Sequence, residues 1–150
     1  MTTLKAGDKA PDFKAEDQDG NEIKLSDYKG RKLVLFFYPK ASTPGCTAEA
    51  CNLNENYDKL KEEGYEILGV SADSKKKQQN FKEKYDFQYP LLADEDKKLI
   101  NAYGVWGPKK FMGKEYEGIH RTTFLIDENG KIEEVISNVK TKEHTDQILK

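Results

Sequence analysis

The chain has 150 residues, 36% apolar and 35% charged, with 25 basic against 27 acidic side chains and a formal net charge of −2. That length suits one domain around one core, and the near balance of charge gives no electrostatic ground for nucleic acid or an anionic membrane as partner. No apolar run approaches the ~20 residues that span a bilayer, and Met1–Gly7 lacks the apolar stretch of a secretory signal, so a cytoplasmic protein is expected.

Phe13–Glu16 and Ile23–Leu25 read as short strands around the turn Asp19-Gly20-Asn21. Lys32–Tyr38 is apolar on both faces, as a strand in the middle of a covered sheet should be, and Pro39 stops it. A helix is expected from about Cys46 to Glu63, because Cys46, Ala50, Leu53, Tyr57 and Leu60 recur on one stripe; Gly64 ends it. Tyr65–Ser71 is a second central strand, Ser74–Lys84 a helix burying Phe81 and Tyr85, and Tyr89–Leu92 a short strand. Asp94–Tyr103 reads as a short helix and Gly104–Gly118 as irregular. Arg121–Ile126 and Ile132–Ser137 form a hairpin whose Asn129-Gly130 supplies the turn, and Thr141–Leu149 is a closing helix. The order β-α-β-α-β, then a hairpin and a helix, implies an α/β domain over residues 1–150 with a central mixed sheet flanked by helices. A thioredoxin-like arrangement fits this order, and so does a flavodoxin-like one.

There are two cysteines and two histidines. A zinc site needs about four ligands, which would use all of them, and His144 would have to fold back onto the others. In a reducing compartment two cysteines point instead to redox chemistry. The segment Tyr38–Thr47 carries Cys46 from the end of a central strand, through a loop braced by Pro39, Pro44 and Gly45, into the first turn of a helix. Unpaired N–H groups and the helix dipole there favour thiolate over thiol. Thr43 can offer its hydroxyl to the sulfur or to a bound oxyanion. Arg121, in a largely apolar strand, should be buried only against an anion. A Cys46 thiolate supplies one, with Glu49 steadying the guanidinium.

Cys51 lies five residues beyond Cys46, about 140° round a helix and about 7.5 Å along it. The two Cα atoms are then ~8.7 Å apart on an ideal helix, beyond the ~4.4–6.8 Å that a disulfide spans. The pair can bridge only if the first turn or two of that helix unwinds.

These residues resemble the peroxiredoxins, and within them the bacterioferritin comigratory protein, or Q-type, subfamily. Pro39, Thr43 and Cys46 match the Pro-x-x-x-Thr/Ser-x-x-Cys signature. Thr43–Thr47 matches the subfamily's Thr-Pro-Gly-Cys-Thr, and Cys51 its second cysteine. Gly7–Phe13, Tyr103–Gly107, Lys109–Gly113 and Gly118–Asp127 extend the resemblance over nearly the whole chain. It implies a thioredoxin-like fold and a monomeric thiol peroxidase that uses neither metal nor organic cofactor. Cys46 attacks the peroxide and becomes a sulfenic acid, Thr43 and Arg121 hold the peroxide oxygens, and Pro39 shields the product. Cys51 then closes an intramolecular disulfide, which a thioredoxin-like reductant protein reopens.

Three rivals carry distinct signatures. A general disulfide oxidoreductase needs Cys-x-x-Cys, which this sequence lacks. A Cys/His hydrolase needs His120 beside Cys46, yet His120 falls on the opposite strand face from Arg121. A peroxide sensor or redox-regulated holdase reacts once and passes its oxidation on. Trp106, Phe111 and Tyr116 are candidates for a substrate pocket, a docking surface or plain packing.

Overall fold

A computed structural model of the chain describes residues 2–150. β1 (Lys14–Glu16) and β2 (Glu22–Lys24) form a small antiparallel ribbon, followed by one 3-10 turn over Leu25–Tyr28. β3 (Lys32–Phe37) leads through the Cys46 loop into α1 (Pro44–Glu55) and α2 (Tyr57–Glu62). β4 (Tyr65–Ser71), α3 (Lys75–Tyr85), β5 (Leu91–Ala93) and α4 (Lys98–Ala102) follow. A hairpin of β6 (Trp106–Phe111) and β7 (Lys114–Ile119) precedes β8 (Thr122–Ile126), β9 (Ile132–Ile136) and α5 (His144–Leu149).

The central sheet has the order β5-β4-β3-β8-β9. β3 runs parallel to β4 and β4 to β5, whereas β8 pairs antiparallel with both β3 and β9. The antiparallel half excludes the flavodoxin-like alternative, whose sheet is parallel and doubly wound. β3 is buried on both faces, and its alternation divides the core in two. Leu33, Leu35 and Phe37 pack with α4, Tyr103 and Phe124; Val34, Phe36 and Tyr38 pack with Cys46, Leu53, Leu60, Phe81 and Ile148. Cys46 is thus a member of the core layer that α1, α2, α3 and α5 share.

Two expectations need correction. The single helix over Cys46–Glu63 is two helices: Asn56 sits between them at φ −105° and ψ 18°, and its side-chain amide donates to the Asn52 carbonyl at 2.8 Å. A side chain that bonds its own backbone competes with helix continuation. The segment Gly104–Gly118 is not irregular but carries most of the β6–β7 hairpin, in register from Trp106↔Ile119 to Phe111↔Lys114. Met112 and Gly113 turn it with φ of 52° and 80°, the two left-handed residues that a tight hairpin requires. Most of this ribbon is exposed, so it shows none of the apolar alternation by which strands are recognised.

Candidate active site

The helix starts two residues before the cysteine. Thr43 is the N-cap, Pro44 is at the first helical position, and Cys46 is at the third. Proline suits that first position because it has no N–H to leave unpaired. The Thr47 N–H closes the first helical bond onto the Thr43 carbonyl at 2.8 Å. The N–H groups of Gly45 and Cys46 come before that bond and have no carbonyl one turn back inside the helix. The Thr43 hydroxyl does not cap them. It donates to the Lys40 carbonyl at 2.7 Å, which leaves its oxygen lone pairs free to accept. The loop is braced from the side: Asp73 accepts from the Ala41 N–H and the Ser71 hydroxyl, both at 2.7 Å.

Cys46 is 1% exposed. Arg121, in the residue before β8, brings Nη2 to 3.4 Å from its sulfur and Nη1 to 2.7 Å from Glu49 Oε1. Gly45 permits this approach, since a Cβ there would lie 3.1 Å from Arg121 Nη2. Glu49 has no exposed surface. Burial pushes its carboxyl up to about 7, against the lowering effect of Arg121's charge and hydrogen bond. For Arg121 burial works against the charge, but Glu49 and Cys46 outweigh it and the group is raised. Desolvation therefore wins at the carboxylate, and the ion pair wins at the guanidinium.

Cys51 is on the same helix, partly buried and packed against the core layer that holds Cys46. Burial, with a smaller contribution from Glu55, raises its thiol and keeps it protonated in this conformation. Both thiols are free and share the intact α1. The helix from Cys46 to Asn52 is tied down by tertiary bonds. Tyr89 donates its hydroxyl to the Ala50 carbonyl at 2.7 Å. Asn52 donates to the Lys142 carbonyl at 2.9 Å and accepts from the Thr145 N–H at 2.8 Å.

The structure thus brings together Cys46, Arg121 and Glu49, with Gly45 beneath the guanidinium, Thr43 and Pro44 opening the helix, and Pro39 closing the strand. His120 is turned away, with Nε2 2.9 Å from the Pro108 carbonyl. Two grooves of about 420 and 380 Å³ flank Arg121 and Pro39, and Lys109 lines both. Trp106 and Tyr116 line the second, while Phe111 is 66% exposed at the hairpin tip. Sequence reasoning missed Lys109 and His144. Lys109 donates to the Ile119 carbonyl at 2.9 Å, and burial, then Arg121's charge, lowers it. His144 does fold back, as a zinc ligand would have had to, and it meets Glu49.

A thiol at a helix N-terminus under a guanidinium, on a thioredoxin-like sheet, defines a nucleophilic thiol site. A model of the AhpC/TSA family matches residues 6–135. The chain is 50% identical over 149 residues to peroxiredoxin Bcp of Escherichia coli (strain K12), covering 99% of this chain and 96% of that protein. It is 46% identical over 147 residues to peroxiredoxin Bcp of Bacillus subtilis (strain 168), covering 98% and 94%. A solved structure of the Xanthomonas campestris bacterioferritin comigratory protein, described for its alkyl peroxide reduction activity, has a TM-score of 0.88 at 36% identity and covers 96% and 94%. The chain belongs to the AhpC/TSA family, and within it to the peroxiredoxins of the Bcp or Q type.

Proposed function

We propose that Cys46 is the peroxidatic nucleophile of this thiol peroxidase and that Cys51 resolves the oxidised form as an intramolecular disulfide. The observation that carries this reading is the placement of the Cys46 sulfur at the third position of α1, 3.4 Å from an arginine that is itself held on a buried carboxylate. A negative sulfur there meets a fixed positive partner and a helix N-terminus.

The thiolate attacks the outer oxygen of hydrogen peroxide or an organic hydroperoxide. An S–O bond forms, the O–O bond breaks, and the departing oxygen takes a proton as water or alcohol. Sulfur loses two electrons and Cys46 becomes a sulfenic acid. Arg121 and the N–H groups of Gly45 and Cys46 face the charge that develops on oxygen. Thr43, whose own hydrogen is engaged with Lys40, accepts the peroxide O–H. Pro39 and Pro44 shield the product.

Resolution needs α1 to unwind for two reasons. Two cysteines five apart on an intact helix are too far apart to bridge. In addition, Cys51 is held protonated by the burial that unwinding removes. Once released, Cys51 attacks the sulfenic sulfur, the S–O bond breaks, and water leaves with the Cys51 proton. A thioredoxin-like dithiol then reopens the disulfide by exchange. The whole chain acts as one domain, a cytoplasmic monomer whose reductant meets it in that compartment.

Turnover with peroxide, thioredoxin, thioredoxin reductase and NADPH tests this reading. Wild type is expected to cycle, and Cys51→Ser to halt after about one peroxide per chain with a trappable sulfenic acid. Sustained turnover by Cys51→Ser at the wild-type rate removes Cys51 from the cycle. The Asn52 clasp gives a second expectation. Asn52→Ala deletes two side-chain hydrogen bonds that tie α1, just beyond Cys51, to Lys142 and Thr145. At ~1 kcal/mol each this speeds disulfide formation by about tenfold or more, measured by stopped flow after a peroxide pulse. An unchanged rate shows that these bonds survive into the rate-limiting transition state.

A further inference from the structure

Glu49 ends in an oxygen that has no hydrogen-bond partner among the described residues. Its Oε1 is on Arg121, while Oε2 is buried and unpaired. His144 Nε2, equally buried and carried on α5, lies 3.5 Å from that oxygen.

Hydrogen bonding fixes which imidazole nitrogen carries the hydrogen. Gln147 Nε2 donates to the Asn138 carbonyl at 2.9 Å, and Gln147 Oε1 accepts from the Lys140 N–H at 2.9 Å. The amide orientation is thereby set, and Oε1 must also be the acceptor for His144 Nδ1 at 2.8 Å. Nδ1 therefore carries a hydrogen. In a neutral ring Nε2 is then a lone pair, which takes the Thr123 hydroxyl at 2.7 Å. Glu49 Oε2 approaches the same nitrogen with no donor of its own, and it can be satisfied through Nε2 only if the Thr123 hydroxyl gives up that lone pair. Two acceptors so placed in dry protein are unfavourable, and a single proton between them removes the conflict.

We propose that Glu49 and His144 form a proton-sharing pair, and that His144 is a positioning residue which sets how much of Arg121's charge is left for Cys46. With the proton present, the thiolate, the guanidinium, Glu49 and His144 together are neutral, and Arg121 serves sulfur and peroxide. With the proton gone, the cluster carries one net negative charge and Arg121 is divided between two anions. Burial raises Glu49 to about 7 and lowers His144, so of the two the carboxyl holds the proton. Facing the pair are Cys46 from α1, Arg121 and Thr123 from the β8 side, and Gln147 from α5 itself. Tyr89 near the start of β5 is held protonated mainly by burial, and Lys109 lies beyond Arg121. This deepens the reading of Cys46 as nucleophile and rests on it.

The chain has two histidines, so imidazole ¹⁵N resonances report on His144 directly, with the partly exposed His120 as reference. In the reduced wild type, Nδ1 is expected to be the protonated nitrogen. The Nε2 signal should move through a transition near neutral pH, and the transition should disappear in Glu49→Gln. An Nε2 signal with no transition near neutral pH overturns the proposal, as does a transition identical in Glu49→Gln.

The second readout is the peroxide rate constant in a Cys51→Ser background, followed from neutral pH upwards. It is expected to fall about tenfold as the shared proton leaves. His144→Gln, which puts a non-titrating N–H near the Nε2 position, should flatten that fall. A purely structural histidine would lower the rate equally at every pH and leave the profile unchanged. If peroxide is not consumed through Cys46 at all, the rate assay fails while the resonances still report on the pair, so the two readings fall separately.

Discussion

Cys46→Ser is expected to abolish peroxide reduction, to below the detection limit of a coupled NADPH assay. Serine keeps the shape of the buried site and can still accept from Arg121. However, its hydroxyl stays protonated at neutral pH and has no neighbouring base to activate it. Cys51 cannot substitute. It sits about 140° further round the helix, is held protonated by burial, and makes no contact with Arg121, whose bonds go to Cys46 and Glu49. The fold should survive, because exchanging one buried sulfur for oxygen leaves the packing of Ala50, Leu53 and Tyr38 in place. Loss of activity with unfolding close to that of wild type thus separates chemistry from stability. Residual turnover above a few per cent would move the nucleophile elsewhere.

Arg121→Met carries the second large effect, and it splits between rate and stability. The guanidinium is the cation within hydrogen-bond reach of the sulfur, so removing it takes away a preorganised donor to both thiolate and developing oxyanion. Such donors are worth about 10²–10³ in rate, measured here as the second-order constant for the first peroxide in stopped flow. The stability effect turns on Glu49. Stranding a buried anion costs about 3–5 kcal/mol, but Glu49 already stands near 7 with Arg121 present. Without Arg121 nothing opposes burial, and the carboxyl takes up a proton instead. The remaining cost is that of a neutral buried acid short of partners, about 1–3 kcal/mol, or roughly 3–10 °C in Tm for a domain of this size. A loss of stability with the rate intact would place Arg121 in the scaffold rather than the chemistry.

The parts of this site that were legible in the sequence lie close together along the chain or stand out in composition. Pro39, Thr43, Pro44, Gly45, Cys46, Glu49 and Cys51 fall within thirteen consecutive residues, where helix geometry alone relates them. Arg121 is distant, but a guanidinium beside the buried run Thr122–Ile126 is conspicuous against the polar-group penalty. The central sheet was legible for the same reason, because β3, β4 and β8 are almost wholly buried and read as apolar runs. His144 and Lys109 were not legible. Each gains its meaning from a partner that only the tertiary fold supplies, Glu49 in one case and Arg121 in the other. The β6–β7 ribbon was hidden because its residues face solvent and its turn uses Met112 rather than the asparagine that usually marks such turns. The break at Asn56 was hidden because the apolar stripe continues through it to Leu60, while the side-chain bond that interrupts the backbone has no period.

The most direct test of the central claim is to treat reduced wild-type protein with one equivalent of hydrogen peroxide and map the product under non-reducing conditions. The expected product is a monomer lighter by two hydrogens, with one disulfide joining Cys46 and Cys51 and with α1 helicity reduced in the oxidised form. An unmodified Cys46, or a disulfide formed between chains rather than within one, would contradict it.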